Sequence, residues 1–267
     1  MDLGFGEATA VVTGGTKGMG RAVATLFAEE GARVAVIARR REELDETVGA
    51  LEKAGSPQAL PLPADVSDTA QIDAAFATLA ERWDHLNVLV NTVGPAAGRF
   101  EQLRDEDWLT AYQLGAMSAV RCVRAALPML RRAPWARIVN FSAHSIQRQS
   151  PILPAYTASK AAVTSISKNL AKSLASEGIL VNTVSPGTIV TASFTEALKD
   201  VFDQRGLDSS DPHDVMRWID EVFHQPADLG RAGLPEEVAL AVAFLASKRN
   251  GYVTGANVNV DGGSDFV

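Results

Sequence analysis

A chain of 267 residues, 46% hydrophobic and 21% charged, has the balance of a globular protein whose core needs no covalent staples. A net charge of −7 excludes the broad basic surface that nucleic-acid partners require, and a single cysteine, Cys122, excludes an internal disulfide. The N-terminus MDLGFGEATA has neither a cationic start nor an apolar run, and no stretch reaches the ~20 apolar residues of a membrane span, so no signal peptide, no membrane partner and a cytoplasmic location are expected.

Short β-branched runs alternate with longer stretches of helical spacing. Ala8–Thr13 reads as a first strand and leads into a glycine loop. A helix from Met19 to Glu30 then buries Val23, Leu26 and Phe27 and stops at Gly31. Next come a strand RVAVIA, a helix Arg41–Lys53, a strand QALPLPA and a helix through Ile72, Phe76 and Leu79. The strand Asn87–Asn91 precedes a long helix from Glu106 to near Pro128. Ile138–Phe141 is a strand, Ala155–Ser176 a helix, Leu180–Val184 a strand, and ANVNV near the C-terminus one more. Repeated strand-then-helix units predict an α/β fold: a single doubly wound domain over residues 1–267, with a parallel sheet of about seven strands and helices on both faces. The stretch from Thr191 to Gly230 breaks this rhythm. It has no strand pattern but holds Phe194, Leu198, Phe202, Met216, Trp218, Ile219 and Phe223. It reads either as a helical substrate lid at about 191–229 or as a helix pair packed on the body. The lid is preferred, because long loops at strand ends in open α/β sheets border ligands.

TGGTKGMG, Thr13 to Gly20, lies between the first strand and the first helix. Gly14, Gly18 and Gly20 permit a tight turn and let a pyrophosphate approach the helix N-terminus, where unpaired N–H groups point outward. An ordinary strand-to-helix turn is the alternative reading. The end of the second strand separates the dinucleotides. An NAD site places a carboxylate there for the ribose hydroxyls, whereas this chain reads IARRREE, with Ala38 in the acid's place and Arg39 and Arg40 after it. Together with Lys17 these arginines would pair a 2′-phosphate, so NADP (NADPH) is the expected cofactor; the competing reading is a solvated basic start to a helix.

Tyr156 and Lys160 lie four apart in AYTASKAAV and share a helix face. An ammonium beside a phenol is expected to lower its pKa from about 10 and ease proton exchange with an alcohol or carbonyl oxygen, although a surface helix can carry such a pair by accident.

With TGGTKGMG, the pair Asp65–Val66, NTVG, YTASK, SPGTIVT, GRAGLPEEVALAVAFLAS and VTGANVNVDGG in this order, the chain resembles the short-chain dehydrogenase/reductase family, in the subgroup similar to bacterial 3-oxoacyl-carrier-protein reductases. The resemblance runs nearly end to end. It implies a Rossmann domain whose glycine loop, here Gly14, Thr16, Lys17, Gly18, Met19 and Gly20, binds the cofactor. It also implies that Asp65 and Val66 hold the adenine, that the Asn91 backbone lies along the adenosine ribose, and that Val93 and Gly94 add cofactor contacts. Lys160 would hold the nicotinamide ribose, Ile189 and Thr191 would meet the carboxamide, Pro186 and Gly187 would add contacts, and Tyr156 would be the proton donor. No metal site is implied. A homotetramer through the Glu106 and Ala155 helices and the C-terminal region is.

Two positions depart from the family pattern. Its serine, thirteen residues before Tyr156, is Ala143 here, flanked by Ser142 and Ser145. Residues two apart on an extended run point the same way, so Ser145 is the better replacement, with Ser142 and His144 as alternatives. Its asparagine, seven residues after Trp108, is Gly115. That asparagine helps organise a water chain to the lysine, and a water is expected in the space beside the glycine. The reading that follows is an NADP-dependent oxidoreductase moving a hydride between nicotinamide and a small carbonyl or alcohol substrate. The pocket would lie between Ala143–Pro154, Pro95–Phe100 and the lid, and the lid's aromatic residues suggest a sizeable apolar molecule as substrate. The alternative is an NADP-binding sensor with weak or no catalysis, which would not need both Tyr156 and Lys160. A nucleotide hydrolase is excluded by the missing GK[ST] loop.

Overall fold

Valine, isoleucine and alanine dominate the strands, as burial on both faces of a parallel sheet demands. In the computed structural model, which describes residues 2–264, the strands are β1 (Thr9–Thr13), β2 (Arg33–Ala38), β3 (Ala59–Pro63), β4 (Val88–Asn91), β5 (Ala136–Phe141), β6 (Ile179–Pro186) and β7 (Asn257–Val260). They form one sheet in the order β3-β2-β1-β4-β5-β6-β7. Every neighbouring pair is parallel, and Thr13 is level with both Ile37 and Asn91. The expected doubly wound α/β fold is the one found.

The helices are α1 (Gly18–Glu29), α2 (Arg41–Ala54), α3 (Thr69–Ala80), α4 (Asp105–Tyr112), α5 (Ser118–Leu130), α6 (Pro154–Leu174), α7 (Ala192–Asp203), α8 (Pro212–Phe223) and α9 (Pro235–Ala246). Alternation along the strands divides the core in two. Val12, Val34, Val36, Val90 and Val139 pack with Val23, Phe27, Leu44, Leu51, Val238 and Val242 of α1, α2 and α9. Val11, Ala35, Ile37, Leu89 and Ile138 pack with Ile72, Phe76, Cys122, Met129 and Ala171 of α3, α5 and α6. Helix starts follow local chemistry. Asp68, Thr191 and Asp211 accept first-turn N–H groups, and Pro154, Pro212 and Pro235 open their helices.

The structure departs from the sequence reading at the long helix, at β5 and β6, and at α9. The long helix expected from Glu106 to Pro128 is α4, a π-helical segment Gln113–Met117 and α5, and it continues past Pro128 to Leu130. Strands β5 and β6 each extend beyond the expected Ile138–Phe141 and Leu180–Val184. Helix α9 was not anticipated as an element. It buries Val238, Ala239, Val242, Ala243, Leu245 and Ala246 while leaving Leu240 and Phe244 exposed, so apolar residues on all sides erase the helical period. The 191–229 stretch contains α7 and α8. Their aromatic rings face one another, Phe202 against Trp218 at 5.2 Å and Trp218 against Phe223 at 5.3 Å between centroids. These side chains form a small core of their own with Val215 and Met216, so they carry no reading of substrate polarity. Among the described residues no helix is long and apolar enough to cross a membrane.

Candidate active site

The strand order reverses between β1 and β4, and the crevice at the C-terminal ends of these strands is where ligands bind in open α/β sheets. A cavity of about 750 Å³ there is lined by Gly14, Thr16, Lys17, Arg39, Arg40, Asp65, Val66, Val93 and Gly94, all expected cofactor residues, and by Ile37, Ala38, Glu43, Ala64 and Leu114. Gly14 turns with φ +67°, a conformation that side chains disfavour. A Cβ on Gly20 would collide with the Gly14 carbonyl oxygen and stand 2.8 Å from Thr92 Oγ1. Gly20 therefore acts by letting the loop fold onto itself. Thr92 Oγ1, missed in the sequence, donates to Thr13 O at 2.5 Å and ties β1 to the end of β4. Lys17, at the cap of α1, places no side-chain acceptor on the first-turn N–H groups, which stay open at the loop.

At the far end of this cavity Arg39 and Arg40 are exposed. Lys17 Nζ stands 2.9 Å from Glu43 Oε1, and Arg40 pairs with the same oxygen. Glu43 was overlooked because the sequence reading sought an acid only at the strand end. The i,i+3 spacing from Arg40 on the first turn of α2 is the signal that could have found it. The Asp65 carboxyl is held below the usual carboxylate range by the Ser67 hydroxyl and N–H, with Arg39 adding a weaker effect. Buried Arg121 bonds Thr69 Oγ1 at 3.1 Å, Val66 O at 3.4 Å and Gln113 O at 3.3 Å. It thereby pins the loop carrying Asp65 and Val66 to the π segment.

A second cavity of about 220 Å³ shares Gly94 with the first and is lined by Met19, Thr92, Pro95, Phe141, Ser142, Tyr156, Lys160, Pro186 and Gly187. Tyr156 and Lys160 meet there on the first turns of α6. Lys160 is 2% exposed, and its Nζ donates to Phe141 O at 2.7 Å and Val93 O at 3.1 Å. It lies 5.9 Å from the centroid of the Tyr156 ring. Burial pushes the Lys160 ammonium down to about 8 and the Tyr156 phenol up to about 12. The expected lowering of the phenol's pKa is thus reversed, because the ammonium is turned onto two carbonyls while the phenol loses solvent.

The serine expectation is also corrected. The extended run ends at Ala143, and His144–Ile146 is a 3-10 turn, so Ser145 does not continue the pleat that was to aim it. Ser145 Oγ accepts from Thr157 Oγ1 at 2.9 Å. Ser142 Oγ bonds Thr164 Oγ1 at 2.7 Å and donates to Lys160 O at 3.3 Å. His144 Nδ1 lies 3.1 Å from Pro186 O. The space beside Gly115 is filled by protein: a Cβ there would stand 2.8 Å from Ser159 Cβ and closer to its hydroxyl. Ser159 is the neighbour that crowds this position, and its hydroxyl donates to Tyr156 O at 2.8 Å.

Five expected cofactor residues line neither cavity, Gly20 of the glycine loop among them. Asn91 lines neither cavity; its Nδ2 donates to Asn140 Oδ1 at 2.8 Å inside the sheet, and its own Oδ1 is buried without a partner among the described residues. Ile189 and Thr191 border separate surface depressions, Ile189 with Gly233 and Thr191 with Gly18. Gly18 itself lines neither cavity and starts α1 with φ +51°. The Ala143–Pro154 loop is tied to the segment after α8 by Arg148 donating to Pro226 O at 3.3 Å and Gln225 Nε2 to Gln149 O at 3.2 Å, and to the stretch after β7 by Arg148 donating to Ser264 O at 2.6 Å.

Comparison with known proteins agrees with the fold. The family model described as Enoyl-(Acyl carrier protein) reductase matches residues 14–265. The short-chain reductase protein NovJ of Streptomyces niveus is 32% identical over 96% of this chain and 94% of its own length. The 3-oxoacyl-[acyl-carrier-protein] reductase FabG of Staphylococcus aureus is 31% identical over 96% and 97%. Among solved structures, L-sorbose reductase from Gluconobacter frateurii, complexed with NADPH and L-sorbose, superposes with a TM-score of 0.91 at 30% identity over 100% of both chains. Actinorhodin polyketide ketoreductase with NADPH gives 0.86 at 32% identity over 98% of each.

Proposed function

The chain belongs to the short-chain dehydrogenase/reductase family of oxidoreductases, and from that premise we propose that it is an NADPH-dependent reductase of a small carbonyl substrate with Tyr156 as proton donor. The observation that carries the reading is the convergence of Tyr156 and Lys160 on a cavity sharing Gly94 with the larger crevice. The residues fit a dinucleotide phosphate: the Gly14–Gly20 contact leaves no room for a side chain, α1 offers open N–H groups, and Lys17, Arg39 and Arg40 line one end. When bound, NADPH supplies the hydride. Tyr156 holds its proton at neutral pH because its pKa lies at about 12, the state a donor to a developing alkoxide needs. Lys160 keeps a cation beside that phenol, its ammonium held by Val93 O just after β4 and by Phe141 O at the end of β5. Ser142 and Ser145 hold the adjoining loop through Thr164 and Thr157. Residues 1–267 act as one catalytic domain, with α7 and α8 at 191–229 as the lid that the Arg148 contacts attach to the loop. Exposed Leu240 and Phe244 on α9 and Leu109 and Tyr112 on α4 are apolar surface that a homotetramer would cover.

The test is NADPH consumption with a panel of ketones and aldehydes. Turnover with at least one is expected, and Tyr156→Phe should lower it by roughly a hundredfold or more while cofactor affinity stays within about threefold. Binding without turnover across the panel would instead favour the non-catalytic reading, for which the missing hydroxyl at Ala143 is the supporting feature.

A further inference from the structure

Glu43 sits among the cations that a 2′-phosphate would use. One of its carboxylate oxygens serves both Lys17, at 2.9 Å, and Arg40. The carboxylate is only a quarter exposed and faces the same crevice. Asp65, the other acid on that wall, is committed to Ser67. Arg39 enters no salt bridge among the described residues. Two of three candidate phosphate partners are therefore already paired with one side chain.

We propose that Glu43 is a specificity-determining residue that competes with the 2′-phosphate for Lys17 and Arg40. The inference rests on the NADPH reading above. A 2′-phosphate can reach its full set of charge-assisted bonds only by taking these cations from Glu43, and once bound it stands beside a like charge. For NADH the same carboxylate works in the opposite sense. A ribose 2′-hydroxyl is a donor, and an acid near the end of the second strand is what NAD sites employ. Glu43 approaches that place from the first turn of α2 instead of from the strand. Both effects narrow the gap between the two cofactors.

The experiment is equilibrium titration of full-length protein at fixed salt with NADPH and NADH, followed by cofactor fluorescence, and with 2′,5′-ADP and 5′-AMP by calorimetry. Glu43→Gln and Glu43→Ala are compared with the parent, with thermal melts to verify folding. The parent should prefer the 2′-phosphorylated ligand of each pair. Both variants should widen that preference by about fivefold or more, and added salt should reduce the gain. A parent that prefers NADPH, with variants whose preference is unchanged or smaller, overturns the assignment of Glu43 and makes it a strut that orients the two cations. A parent that prefers NADH, or binds neither cofactor, overturns the cofactor reading, and this inference with it.

Discussion

Burial pushes the Lys160 ammonium down to about 8 in the folded chain, against 10.5 as an ordinary lysine. Between these values the unfolded chain binds a proton that the folded chain has released, so this residue's contribution to stability rises with pH. At about 1.4 kcal/mol per pKa unit, the stability of the parent relative to Lys160→Met should rise by roughly 1–2 kcal/mol from pH 7.5 to 9.5. The window stops short of pH 10, above which the raised Tyr156 phenol acts in the opposite sense. Urea denaturation of both proteins measures the difference, and a flat profile would mean that Lys160 is hydrated in solution. The serines supply a second prediction at this scale. Ser142 already donates to Lys160 O, and Ser145, which accepts from Thr157, does not line the cavity that holds Tyr156 and Lys160. Ala143→Ser should then raise kcat by roughly tenfold or more, since one donor to a developing oxyanion is typically worth 10²–10³. Ser142→Ala and Ser145→Ala should each cost less than about tenfold. A sharp loss in Ser145→Ala with no gain in Ala143→Ser would restore Ser145 as the donor. The pair Tyr156 and Lys160 was legible because a helix converts a spacing of four into adjacency. The partners of Ser142, Ser145 and Lys160 were not, because they lie on elements whose approach is a tertiary fact.

Around Gly115 the helix between Asp105 and Leu130 widens into its π segment, and α6 presses against it. Sequence periodicity extends through both helices and gives no sign of the widened turn, since the π segment changes hydrogen bonding over Gln113–Met117 and nothing in composition marks it. Its neighbour determines what the glycine means. In an open helix Gly→Ala gains up to about 1 kcal/mol from propensity. At Gly115 the new methyl would press on Ser159, 2.8 Å from its Cβ, so Gly115→Ala should instead destabilise by about 1–3 kcal/mol. Ser159→Gly should recover part of that loss in the double variant beyond the sum of the single effects. Chemical denaturation of the four proteins measures it. A Gly115→Ala variant as stable as the parent would show that the π segment and α6 stand further apart than the structure places them. Helix α9 shows the complementary limit. Its Pro235 start is readable, but apolar residues on both its buried and exposed sides conceal its period.

For the whole molecule, alternation of strand and helix specifies the sheet, since parallel neighbours need crossover helices and the crossovers have one hand. That is why the doubly wound order and the position of the crevice could be anticipated, while Glu43 on its rim could not. The crevice also links ligand to global stability. A ligand bound only by the folded chain stabilises it by about 2.7 kcal/mol at a hundred times its Kd, and by about 1.4 kcal/mol at ten times. For a chain of this length each kcal/mol moves Tm by roughly 2–4 °C. If Lys17, Arg39 and Arg40 give NADPH a tenfold tighter Kd, NADPH at a hundred times that Kd should raise Tm by roughly 5–10 °C, and NADH at the same concentration by about half as much. The difference should shrink with salt, because Arg39 and Arg40 are exposed and Lys17 is half exposed. Charge-removing variants should shrink it too: Arg39→Ala with Arg40→Ala should bring the two melts together without lowering the melting point of the free protein by more than about 2 °C, since exposed ion pairs contribute little. Equal shifts by NADPH and NADH in the parent would remove the 2′-phosphate from recognition, and a double variant that kept the full difference would move that recognition away from the arginines.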